Sequence, residues 1–219
     1  MTDDKKTIKR RTKELDLEEK EVGLEKAKLE LELTRLSHTR SHLSHGPTLD
    51  MHRGIFRLED VVYSGVIGLS SVMQRWADDP TNTEKPITLY IFSPGGSVFH
   101  GFALYDTLRT LSDRGHEVTT VIRGFAGSMA SVIFLAGDRR LIGAESIIHQ
   151  HEGSSGVRGS ASEIKDEAAF MQRLEDKITR IYTSRTNITA RTFKSKINRK
   201  EWYADADEAL KLGIATEVA

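Results

Sequence analysis

The stretch VTTVIRGFAGSMASVIFLAG, residues 118–137, decides how the rest of the chain is read. Its first half reads as a strand. Its second half, from Ala130 on, reads as a buried helix, and Ala126, Gly127 and Ser128 lie at the junction. Small residues there permit a tight strand-to-helix turn. A serine on such a turn can raise its hydroxyl above the sheet while the next residue's N–H points the same way. Ser128 holds that position and Ser131 lies one turn further into the helix. The GxSxG spacing is absent, because Met129 and Ala130 follow Ser128. On these residues alone, a nucleophilic Ser128 and a merely small, packed Ser128 are balanced readings.

Working outward, strands and helices alternate. GIFRL (54–58) is a candidate opening strand, VVYSGVIGLSSVMQRWADD (61–79) an amphipathic helix, and ITLYIFS (87–93) a continuous β-branched and aromatic run, as expected of a strand buried on both faces. VFHGFALYDTLRTL (98–111) reads as a helix, RLIG (140–143) and SIIHQ (146–150) as short strands. After the loop EGSSGVRGS (152–160), a long helix carries Ile164, Ala168, Met171, Leu174, Ile178 and Ile181 on one stripe. EWYADADEALKLGIATEV (201–218) reads as a capped helix ending at Gly213 and a short terminal strand. This alternation predicts an α/β fold with a parallel sheet and crossover helices.

Two further strand ends carry groups suited to acyl transfer, and sites in open α/β sheets gather at the carboxyl ends of strands. SPGGS (93–97) places Pro94 and paired glycines on a turn whose exposed N–H groups suit an oxyanion. His149 ends the apolar run SII, and His151 shares its parity further into the loop. A serine and a histidine at neighbouring strand ends suggest a nucleophile and its base, which then need an acid to orient the imidazole. Glu201, Asp205, Asp207 and Glu208 are the candidates, and spacing does not choose among them.

Residues 1–45 differ in composition, being rich in Lys, Glu, Arg and Leu. Ile8, Leu15, Val22, Leu29 and Leu36 recur every seven residues, while Arg11, Glu18, Glu25 and Glu32 occupy the partner positions of the heptad. Leu17, Leu24 and Leu31 form a second thin stripe on a nearly opposite face. The segment is expected to be a charged interaction or assembly helix rather than a clean zipper. His38 and His42 have a metal-compatible i, i+4 spacing, but no carboxylate or cysteine accompanies them and a polar hinge is the better reading. The division expected is a helix at 1–45, a linker at 46–53 and a catalytic domain at 54–219.

The 219 residues hold 32 Lys+Arg against 32 Asp+Glu and no cysteine. The balance favours neither nucleic acid nor an acidic membrane as partner. Lack of cysteine removes disulfides, thiolate metal sites and a cysteine nucleophile. No signal-peptide core or apolar run of about 18 residues is found, so a cytoplasmic location is expected.

In combination, SPGG, GFAGSMAS with IFLAG, IIHQHEG and EWYADADEALKLGIATEV resemble, in order, the proteolytic subunit family of the Clp protease and its phage relatives over residues 54–219. The resemblance implies a serine peptidase of the crotonase-like fold, built of repeated β-β-α units with a long handle helix and assembled as rings enclosing a chamber. It implies Ser128 as nucleophile, His149 as general base, and Gly96 and Met129 as oxyanion-hole donors. Counting back from Glu208-Ala209 and Gly213 puts the family's catalytic aspartate at Glu201, where this chain has a longer acid. Asp205 is the fallback. The Ser128–His149 segment is shorter than is usual in that family, and the charged N-terminal helix stands where the family has an axial gate. The expected function is thus ATP-independent peptide-bond hydrolysis by a Ser-His-acid endopeptidase, needing no cofactor or metal and acting on protein or peptide substrates. Expected partners are copies of itself in one ring or two stacked rings, and an ATP-dependent unfoldase or phage capsid components. Alternatives are a catalytically degenerate assembly protein, a phage capsid or scaffold maturation protease, and an acyl-CoA enzyme of the crotonase type. The last is disfavoured by the Ser128–His149 pair, since that chemistry usually uses a carboxylate at the reacting carbon.

Overall fold

A computed structural model describes residues 51–154 and 156–219. The N-terminal helix expected at 1–45 and the His38–His42 pair therefore lie outside the described residues.

Among the described residues, seven strands form one sheet. β1 (Ile55–Leu58), β2 (Ile87–Ser93), β3 (Val118–Gly127), β4 (Arg139–Ile142) and β7 (Glu217–Val218) lie side by side in that order, all parallel. β3 is long enough to serve two neighbours. Its first part, Thr119–Ile122, pairs with β4, while Phe125–Gly127 pairs in parallel with β5 (Ile147–His151). β6 (Glu201–Ala204) closes that side, antiparallel to β5. The sheet is parallel-dominated, as the alternating pattern predicts.

Crossover helices supply the core. In α1 (Gly65–Asp78), Val66, Leu69, Met73 and Ala77 are buried at helical spacing. In α2 (Val98–Asp113), Leu104, Leu108 and Leu111 are fully buried. Both pack with Phe56, Leu89, Ile91 and Ile122 of the sheet. Each such side chain contributes about 1.5–3 kcal/mol on leaving water. The short α3 (Met129–Phe134) is buried along its whole length, which explains why its sequence has no polar face.

The long α4 (Ala161–Arg185) starts with a reciprocal capping box between Ser160 and Glu163. Only part of its apolar stripe meets the core. Leu174 and Tyr182 are buried and Ile178 and Ile181 pack beside them, whereas Ile164 is 46% exposed. α5 (Ala190–Ile197) and α6 (Ala206–Lys211) complete the fold. The sequence pattern did not announce α5 or β6. β6 has only four residues, and its alternation, with Trp202 and Ala204 buried between exposed Glu201 and Tyr203, is too brief to mark a strand. α1 also starts later than VVYSG suggests, because Val62 is spent on a bridge to Gly96.

Candidate active site

β3 passes directly into α3 through Ser128. Its backbone has φ 49° and ψ −123°, in the half of dihedral space that side-chain-bearing residues avoid. Such a residue stores strain of order 1–3 kcal/mol, and its neighbours must hold it there. Two contacts do so. The Ser128 N–H donates to the His149 carbonyl at 2.8 Å, and the Ser128 carbonyl accepts from Ser131 N–H at 3.0 Å and Ser131 Oγ at 2.7 Å. The strained turn predicted from small residues is thus present, with Gly127 paired opposite His149.

The far end of α3 is gripped by three arginines. Arg185 donates to the carbonyls of Leu135 (3.0 Å) and Gly137 (2.7 Å), Arg109 to Ala136 (3.0 Å), and Arg140 to Gly137 (3.2 Å). They satisfy carbonyls that a helix end leaves unpaired, and place positive charge where the helix is negative. Asp138 accepts from Arg109 at 2.7 Å and balances part of that charge. Burial of Arg140 lowers the pKa of its guanidinium, the nearby Arg185 adding to the effect.

The turn after β2 folds onto the serine. Gly95, at φ 92°, lies so close that an added Cβ would stand 2.4 Å from the Gly127 carbonyl, 2.7 Å from Ser128 Cβ and 2.9 Å from Met129 N. Only glycine permits this approach. Gly96 is exposed and is held by its flanks, with Val62 N–H donating to Gly95 at 2.8 Å and Ser97 N–H to Val62 at 2.7 Å. Among the described residues, neither Gly96 N–H nor Met129 N–H donates to a backbone carbonyl. Met129 follows Ser128 in the chain, and Gly96 follows the Gly95 that packs against Ser128.

His149 lies on the β5 face opposite to the buried Ile148 and Gln150. Tyr203 faces it across the β5–β6 pair and stacks on its ring at 4.5 Å, with Phe125 at 6.0 Å and His151 at 5.3 Å. The imidazole Nε2 is hydrogen-bonded to Glu201 Oε2. Glu201 pairs in register with His151, so its carboxylate approaches His149 diagonally, and the extra methylene supplies that reach. Of the other acids considered, Asp205 caps α6 by accepting from Glu208 N–H at 2.8 Å. Glu208 accepts from Lys196 at 2.7 Å and Trp202 Nε1 at 3.3 Å. Glu201 is the one brought to the imidazole. Among the described residues, no hydrogen bond joins Ser128 Oγ to His149. Nor do three or more His, Asp or Glu side chains gather in a way that would hold a metal.

The sequence reading missed Tyr203, Tyr182 and the three arginines. The arginine inside the apolar run RRLI was one available signal, because a charge at such a position must find buried partners.

A family described as Clp protease matches residues 55–219. The chain is 34% identical over 151 residues to the ATP-dependent Clp protease proteolytic subunit of Deinococcus radiodurans, covering 68% of this chain and 72% of that one. It is 32% identical over 173 residues to the ATP-dependent Clp protease proteolytic subunit 3 of Rhodococcus jostii, covering 75% and 82%. With the Chlorella vulgaris proteolytic subunit the identity is 34% over 164 residues, covering 74% and 77%. These similarities bear out the resemblance carried by SPGG, GFAGSMAS and IIHQHEG.

Proposed function

Because this chain belongs to the Clp protease family and is a serine peptidase of that kind, we propose that Ser128, His149 and Glu201 are its catalytic triad and that it cleaves peptide bonds endolytically. The observation that carries this reading is the strained Ser128, fixed by a backbone hydrogen bond to His149 itself.

Ser128 Oγ attacks the peptide carbonyl while the imidazole takes its proton. The Gly96 and Met129 N–H groups receive the oxyanion. Collapse expels the amine, which leaves with the proton from the imidazole, and water hydrolyses the acyl-enzyme by the same route. Glu201 orients the ring and stabilises the imidazolium. With Nε2 held by Glu201, a turn of the ring that brings its free nitrogen to Ser128 Oγ precedes attack, and substrate binding tightens such contacts in many enzymes.

The relatives' names include "ATP-dependent" and "proteolytic subunit". They support proteolysis by a multi-subunit, ATP-linked assembly, which we propose is a ring-shaped homo-oligomer with an enclosed chamber acting on protein substrates delivered by an ATP-dependent unfoldase. The family match over residues 55–219 supports 54–219 as the peptidase domain, and the charged, heptad-striped composition of residues 1–45 supports a separate interaction segment that adapts it to an unfoldase or, in a phage setting, to capsid components. A second reading, a ring-building member without activity, is favoured by the absence of a Ser128–His149 hydrogen bond among the described residues.

A fluorophosphonate probe separates the two. It is expected to label the assembled protein at Ser128, with Ser128→Ala abolishing the label. Absence of labelling across about pH 6 to 9 overturns the enzymatic reading.

A further inference from the structure

Ser131 lies on the interior side of the elbow, fully buried, and its hydroxyl has two partners. It donates to the Ser128 carbonyl at 2.7 Å and meets Tyr182 Oη at 2.8 Å. A serine hydroxyl has one proton, and a carbonyl only accepts. Ser131 therefore spends its proton on Ser128, and Tyr182 must be the donor to Ser131 Oγ. Full burial raises the Tyr182 pKa well above the ordinary tyrosine range, which keeps that donor protonated. Phe193 stacks on the Tyr182 ring at 4.2 Å and Trp202 lies at 6.3 Å, so the phenol has a fixed place.

The chain Tyr182 Oη–H to Ser131 Oγ–H to Ser128 C=O ends on one particular peptide unit. In a trans peptide the carbonyl and the following N–H point in opposite directions. Whatever aims the Ser128 carbonyl inward also aims the Met129 N–H outward, towards the space beside Ser128 Cβ and Gly95. Backbone alone supplies one longer bond to that carbonyl, from Ser131 N–H at 3.0 Å. α3 is only six residues long, so few helical bonds hold its first peptide plane.

We infer that Ser131 and Tyr182 are positioning residues that set the oxyanion-hole peptide between Ser128 and Met129, making the long helix α4 part of the active-site support. The inference rests on Ser128 being the nucleophile and Met129 N–H an oxyanion donor. It gives the second serine of GFAGSMAS a task beyond packing. Neither residue touches substrate.

The test uses the full-length protein with Ser131→Ala and Tyr182→Phe, each of which removes one hydroxyl and adds no bulk. Active sites are counted with a fluorophosphonate, and rates per labelled site are measured on a fluorogenic peptide. The expected result is a kcat lowered by about tenfold with KM within about twofold, because a misaimed oxyanion donor weakens the transition state and not the ground state. Affinity for a peptide boronate, which places an anionic oxygen in the same hole, should fall by the same factor as kcat/KM. Affinity for the cleaved product peptide should not change. A merely structural role would lower Tm and the number of labelled sites, leaving kcat per labelled site and boronate affinity at wild-type values. That outcome in both variants overturns the inference. If the wild-type protein takes no label, it is the assignment of Ser128 that fails.

Discussion

Gly95→Ala probes the closest approach in the site. The new methyl would sit at φ 92°, a backbone region costing an L-residue about 1–2 kcal/mol. It would also stand 2.4 Å from the Gly127 carbonyl oxygen and 2.7 Å from Ser128 Cβ, both parts of the rigid elbow. Overpacking of that kind costs about 1–3 kcal/mol. Absorbed wholly as lost stability, the two come to about 2–5 kcal/mol, or roughly 4–20 °C in Tm for a chain of this size. If the turn moves instead, restoring ordinary contact takes a shift of about 1 Å, which displaces the neighbouring Gly96 N–H and is worth about 100-fold in rate. The assay pairs thermal unfolding with the rate of fluorophosphonate labelling. Gly68→Ala is the control. That position lies within α1 with nothing within 4 Å of the added Cβ, so a gain of about 0.5–1 kcal/mol is expected from helix propensity. A Gly95→Ala protein with wild-type Tm and wild-type labelling rate would refute the argument, since one of the two must give.

Ser128→Gly should abolish labelling yet raise Tm by about 2–4 °C, because glycine relieves about 1 kcal/mol or more of strain at φ 49°. Differential scanning fluorimetry checks it, and a lower Tm would show that the elbow is not strained. Glu201→Ala should lower kcat by up to about 10⁴-fold with little effect on Tm, whereas Asp205→Ala should leave kcat unchanged and cost about 1 kcal/mol through loss of the α6 cap. The reverse pattern would reassign the acid. Asp138 provides a pH test. Partial burial works against its charge, but hydrogen bonds from Arg109, Val118 N–H and Ser112 more than offset this and hold its carboxyl below the usual range. Its stabilisation is then complete above the unfolded value of about 3.9 and is lost as pH falls through the lower folded value. Asp138→Asn should lower Tm at neutral pH and flatten its decline below about pH 4, measured by thermal melts across pH.

The strands and helices that packing dictates on their own were plain in the residues. ITLYIFS forms a strand over the stretch expected, Ile87–Ser93, but the core buries only its alternate positions and Phe92 on the other face is exposed, so burial on both faces was not met. The turn at Ser128 was plain too, because only small residues tolerate it. What depended on long-range register was not. Choosing Glu201 over Asp205 from the residues alone would need the pairing of β6 with β5, which four residues of alternating burial do not announce. That choice came from the spacing shared with the family, and the structure adds why the diagonal asks for a longer acid. The arginine grip on α3 unites positions 109, 140 and 185, brought together only by the finished fold.

The hydrogen bond from Ser128 N–H to the His149 carbonyl ties two strand ends into a single mechanical part. A displacement of β5 carries the imidazole and the serine peptide together, so their spacing changes only through side-chain torsions. Glu201 belongs to a different part, a short strand held to β5 by its own pairing. Sliding β6 against β5 would uncouple the carboxylate and leave the strained elbow intact. The carboxylate and the elbow are therefore held by separate backbone pairings, and the methylene that distinguishes glutamate from aspartate spans the gap between them.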